Sequence, residues 1–156
     1  MKHSDINWSS FISLGKRLVG KPYVFGAEVD LKNPDPDAVK ALDCAELVEF
    51  LYAHAKTNMG QPTALRIPDG SYNQAKACQK IEGGFEEFPK RLLIGDLGFK
   101  WNPDTEVIHH VGVFLGNQDV LEAKGKQWGV ILTTVDKYMA SSHFAYWARL
   151  RSIQDA

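Results

Sequence analysis

The chain reads as α+β, with helices in its first half packed on a mainly antiparallel sheet built by the second half. Three observations predict this. Apolar residues recur at helical spacing twice before residue 60. Short alternating runs bounded by Gly, Asn and Asp follow one another after residue 95, with no helical unit interleaved among them. At 156 residues and 44% hydrophobic content, the chain can bury one core and is short for two, so 1–156 is expected to be a single domain.

Trp8, Phe11, Ile12, Leu18 and Val19 predict a first helix, capped by Ser4 or Asp5 and ended by Gly20 and Pro22. The stretch 26–42 contains Asn33-Pro34-Asp35-Pro36-Asp37 and reads as a surface loop, because each proline lacks a donor and restrains its predecessor. Cys44, Leu47, Val48, Leu51 and Ala55 predict a second helix that buries the face carrying the thiol. A third helix is expected over 71–82, stopped by Gly83-Gly84. Strands are expected over 95–99, 106–115, 119–124, 129–135 and 144–151.

Along the strand around His110, simple alternation gives Val107, His109, Val111, Val113 and Leu115 one face, and Ile108, His110, Gly112 and Phe114 the other. Gly112 leaves room for another backbone, and a helix start bearing Cys44 would fit there. The hairpin at Leu115-Gly116-Asn117-Gln118-Asp119 decides where Glu122 points. A three-residue loop sets it opposite Gly112 on the side of His110, and a two-residue loop turns it away. The three-residue loop is the expectation.

Chemistry enters at Asp43-Cys44, where the loop becomes a helix. A cysteine on a first helical turn meets unpaired N–H groups and the positive end of the helix dipole, which favour thiolate over thiol. A histidine on a rigid strand can take the proton, so Cys44 and His110 are the candidate pair. Composition excludes other classes. With 18 basic against 19 acidic residues and no basic run, the footprint of a nucleic-acid binder is missing. No apolar stretch approaches the ~20 residues of a membrane span. Cys44 and Cys78 offer neither a disulfide framework nor zinc-ligand spacing, so no metal or cofactor is expected. The N-terminus lacks a secretory pattern: either the protein starts in the cytoplasm or a signal was removed before this numbering begins.

Three motifs stand in order: Gly20-Lys21-Pro22-Tyr23-Val24-Phe25-Gly26 with Asp43-Cys44-Ala45-Glu46, then Gly95-Asp96-Leu97, then His110-Val111-Gly112-Val113-Phe114-Leu115-Gly116. Together they resemble the NlpC/P60 family of cell-wall cysteine peptidases, which have a papain-like fold. The resemblance implies a hydrolase that cuts amide bonds in peptidoglycan stem peptides. It implies Cys44 as nucleophile, His110 as acid and base, and Glu122 as the group that orients the imidazole. Tyr23 would add a phenolic donor beside the Cys44 N–H at the oxyanion, and Asp43 would help to hold the substrate's amine. The site of action would be the bacterial cell wall, reached by phage delivery or a dedicated export route with a partner of unknown kind.

Ala45 and Glu46 stand where the family usually has serine and glycine, and Glu122 where histidine is more typical. Asp43-x-x-Glu46 also fits a capping box, the aspartate accepting from the amide of residue 46 and the glutamate reaching back. A carboxylate at 122 can orient the imidazole through Nδ1–H. The alternatives are a thiol amidase or acyltransferase of different specificity, and a binding or assembly module that retains the fold. Cys78 is expected to be structural, His109 to lie on the face away from His110, and Asp96 to begin a turn or strand. Trp101, Trp128 and Trp147 either line a groove or fill the core.

Overall fold

The computed structural model describes residues 1–154. Its first helix, α1 (Trp8–Arg17), begins one cap later than Ser4 or Asp5: the Asn7 side chain accepts the Ser10 N–H at 3.1 Å. The preceding residues form a tight turn, His3–Asp5, because the Trp8 ring stacks on His3 at 4.5 Å and its Nε1–H donates to the His3 carbonyl at 2.8 Å. Helix α2 (Cys44–Ala53) buries the expected Cys44, Leu47, Val48 and Leu51, with Ala55 just beyond, but also Ala45, Glu46, Phe50 and Tyr52, so it is covered around most of its circumference and not on one face. Helix α3 (Ser71–Lys76) stops well short of residue 82. The chain turns into a strand, β1 (Cys78–Lys80), whose backbone pairs with residues 148–150. Hydrogen bonds to a distant segment thus outweigh local helical preference there.

The remaining elements are α4 (Phe88–Arg91), β2 (Leu97–Trp101), β3 (Ile108–Gly116), β4 (Asp119–Gly125), β5 (Gly129–Thr134), α5 (Val135–Ala140) and β6 (Phe144–Leu150). Helix α5 was not expected. It is too short to carry a periodic signal, and its start is the Thr134 hydroxyl accepting the Lys137 N–H at 3.2 Å. The six strands form one antiparallel sheet in the order β1-β6-β2-β3-β4-β5. On one face, Leu47, Val48 and Leu51 of α2 join Val111, Val113, Leu115 and Leu121 in the main core. On the other, Tyr138 and Met139 of α5 pack with Phe114, Val120 and Trp147. Trp147 is therefore core, whereas Trp101 and Trp128 are exposed.

Two bulges alter the expected faces. Lys100 pairs with His110 but Trp101 pairs with Ile108, so His109 is the extra residue, and Ile108 joins Val111 in the main core instead of sharing the side of His110. At the hairpin the turn holds two residues, Asn117 and Gln118, both left-handed with φ 48° and 66°, not three. A second register shift, between Phe114 and Gly116, adds one residue to β3 and restores the Val113↔Leu121 pairing. Continued by one step, that register brings Glu122 beside Gly112, on the side of His110. The expected outcome holds by a different route.

Candidate active site

The segment before α2 is clamped from both sides. Val130 N–H donates to the Lys21 carbonyl and Gly20 N–H to the Val130 carbonyl, each at 2.9 Å, which fastens residues 20–21 to β5. The fit is close enough that a Cβ on Gly129 would stand 2.5 Å from the Lys21 carbonyl oxygen. Tyr23 and Leu42 then form a parallel bridge, with Leu42 N–H donating to Pro22 at 3.0 Å. This brings the Tyr23 hydroxyl into the field of Cys44 and Asp43. Burial and then those two charges raise the Tyr23 pKa, so the phenol stays a donor.

Asp43 spends both oxygens on backbone: Oδ1 accepts the Glu46 N–H at 2.8 Å and Oδ2 the Gly26 N–H at 3.2 Å. The expected capping box is half made. Glu46 does not reach back to the cap. Its Oε2 accepts the Val29 N–H at 2.9 Å and ties the 26–42 loop to α2. Glu46 is buried, and with Glu49 and Asp69 it forms the one group of three or more acidic, His or Cys side chains among the described residues whose ligand atoms lie within 4.8 Å of one another. Burial, then the Glu46 and Asp69 carboxyls, push Glu49 up to about 8, so the cluster holds a proton at neutral pH.

Cys44 sits at the first position of α2 with its Sγ 3.8 Å from the carbonyl oxygen of His109, to which the thiol donates. Pairing between β3 and β4 runs from Gly116 and Asp119 to Val113 and Leu121, and the sulfur meets β3 beyond that stretch. The gap expected at Gly112 receives something else. The Tyr138 ring fills it, and a Cβ on Gly112 would lie 2.9 Å from that ring. Gly98, paired with Gly112 across β2 and β3, leaves the matching space.

On that side of the sheet, His110 Nε2 and Glu122 Oε1 lie 2.9 Å apart, and their side chains are 13% and 4% exposed. The carboxylate thus engages Nε2, not the Nδ1 expected from the sequence. Nδ1 lies outside this contact. The Tyr138 ring lies 6.2 Å from the imidazole, and its hydroxyl donates to the Gly98 carbonyl at 2.7 Å. Lys100, opposite His110 on β2, holds its ammonium 4.2 Å from the centre of the same ring. Neither Tyr138 nor Lys100 was singled out by sequence reasoning. The signal for the first was there: two glycines on neighbouring strands vacate room for one large ring.

Electrostatics correct one expectation. The thiol of Cys44 is pushed up to about 11, chiefly by burial, with Asp43 adding to the rise. The N–H groups of Val111, Ala45 and Cys44 itself act in the opposite sense, as expected of a helix start, but desolvation wins. Cys44 therefore rests as a thiol. Asp96 is more than a strand start. It forms a buried, two-pronged ion pair with Arg149, at 2.7 and 2.8 Å, and accepts the Leu93 N–H at 2.8 Å. Cys78 is buried at the start of β1, and His109 is exposed.

A sequence model described as the NlpC/P60 family matches residues 20–149. No curated protein matches the chain. Among solved structures, NlpC2 from Trichomonas vaginalis superposes with a TM-score of 0.67 at 18% identity, covering 93% of this chain and 46% of the other. The P60 domain of antigen MAP1204 from M. avium subspecies paratuberculosis gives 0.64 at 23% identity, covering 92% of this chain and 93% of the other. The peptidoglycan hydrolase RipB from Mycobacterium tuberculosis gives 0.59 at 24% identity, covering 92% and 65%. The chain thus spans less than half the length of the Trichomonas protein. These likenesses establish the fold expected from the sequence.

Proposed function

The chain belongs to the NlpC/P60 family, and from that membership we propose that it is a cysteine peptidase acting on peptidoglycan stem peptides, with Cys44 as nucleophile, His110 as acid and base, and Glu122 as the orienting group. The observation that carries this reading is the 2.9 Å contact between His110 Nε2 and Glu122 on the strand whose backbone the Cys44 sulfur touches. The name of RipB, a peptidoglycan hydrolase, supports the substrate class. The cell wall is the site of action that this substrate implies.

His110 Nδ1 takes the thiol proton as sulfur attacks the scissile carbonyl, and Glu122 stabilises the imidazolium. The Cys44 N–H and the Tyr23 hydroxyl donate to the oxyanion. The C–N bond breaks, the imidazolium gives its proton to the leaving amine, and a thioester remains. Water, deprotonated by His110, then releases the acid and restores the thiol. Asp43 meets a substrate amine only with oxygens that already accept backbone N–H groups, so amine recognition falls to this residue in part at most.

The test is mass spectrometry of purified muropeptides incubated with wild type and with Cys44→Ala. Wild type is expected to cut amide bonds within the stem peptide, and the variant to cut none. Equal cleavage by both would remove the nucleophile. Release of intact stem peptides from the sugar would assign the amidase reading instead.

A further inference from the structure

Glu122 poses a charge problem. It is 3% exposed, and the hydrogen-bond partner of its carboxylate is one imidazole at 2.9 Å. A buried carboxylate so placed has no countercharge of its own when the imidazole is neutral, and calls for a cation close by. That cation is present. Lys100 stands directly across β2 from His110 on the same side of the sheet, with its ammonium 4.2 Å from the Tyr138 ring centre. Tyr138 cannot swing away, because its hydroxyl is bonded to the Gly98 carbonyl and its ring is seated between Gly98 and Gly112. The ring is a fixed platform that faces His110 at 6.2 Å and holds the lysine beside it.

We propose that Lys100 is a positioning residue whose ammonium, seated on Tyr138, shares the Glu122 carboxylate with His110 and so keeps the imidazole able to give up its proton. This rests on the proposed roles of His110 and Glu122. Directly opposed cross-strand cations repel, so Lys100 disfavours imidazolium while Glu122 favours it. The lysine's own titration agrees in sense: burial lowers its pKa, and the Glu122 charge acts to raise it. The other groups facing this cluster are the Tyr138 phenol, held protonated by burial, the His109 ring at 6.4 Å from that of His110, the Cys44 thiol, and Lys124, which is exposed and sits over Trp128 at 4.6 Å.

The experiment follows the His110 ring protons by NMR against pH in wild type, Lys100→Met, Lys100→Gln and Lys100→Arg, each checked for native circular dichroism. Without the lysine charge, the imidazole midpoint is expected to rise by about half a pH unit or more, whereas Lys100→Arg keeps the wild-type midpoint. In a Glu122→Gln background, the Lys100→Met shift is expected to fall to less than half. In the active enzyme, where His110 must be neutral to take the thiol proton, the acidic limb of kcat/KM moves with the ring. A folded Lys100→Met or Lys100→Gln variant with an unmoved midpoint overturns the proposal. The ring titration reads out whether or not the protein cleaves a stem peptide, so failure of the peptidase reading would be seen separately.

Discussion

Cys44 and Cys78 are both buried thiols, 8% and 4% exposed, and burial pushes them up to about 11 and about 12. What surrounds them differs in kind. At Cys44, backbone N–H groups from the start of α2 and from Val111 point to where negative charge would form. At Cys78, side-chain charges act: Asp96 raises it and Arg151 lowers it, and the residue serves the pairing of β1 with β6. Burial by itself thus separates nothing. Under the proposed function, oriented dipoles at the sulfur, with an imidazole on β3 and a carboxylate on β4, are what distinguish a thiol that ionises during a reaction from one that only packs.

The strongest way to break the comparison is through the charge beside Cys78. Arg149→Met leaves Asp96 buried without its two-pronged partner, and should cost about 3–5 kcal/mol of stability in urea unfolding. The same variant, while folded, should alkylate at Cys44 at the wild-type rate. A change at Cys44 would mean that the two thiol regions are coupled. The contrast sharpens in iodoacetamide labelling at neutral pH, where Cys44 should react at least about tenfold faster than Cys78 in the native protein, a difference of about 1.4 kcal/mol in activation energy. His110→Ala should abolish most of that advantage. Equal rates would leave Cys44 a packing residue.

The smallest effect concerns the acid cluster on α2. Glu49 keeps its proton in the folded state up to about 8, whereas its ordinary value is 4.5. Between those values the folded state binds the proton that the unfolded chain releases, so stability falls as pH rises through that window and levels off above it. Glu49→Gln should flatten this decline. Thermal melts at low, neutral and mildly alkaline pH check it, and an unchanged slope would reassign the proton. Cys78, pushed by burial from 9.0 to about 12, adds a decline of its own only above its ordinary value, outside the window in which Glu49 acts.

Much of the site was legible because its signals are local. Asp43 before Cys44, the apolar period after it, and His110-Val111-Gly112 each lie within a few residues, where caps, helical spacing and strand alternation operate. The five strands of the second half were legible for the same reason. What misled was the assumption of unbroken alternation: Ile108 changes face because His109 is extra, and the short turn at Asn117-Gln118 reaches the right register only through a bulge.

By itself, then, the amino-acid order determined the fold class and the helix that carries the thiol. Only the tertiary structure decided that residues 78–80 leave a helical pattern to become an edge strand, that Tyr138 fills the space above Gly98 and Gly112, that Asp96 finds Arg149, and that burial holds Cys44 as a thiol. Those outcomes depend on partners far apart along the chain. Desolvation and strand pairing are properties of what surrounds a group, and no window of neighbouring residues contains that information.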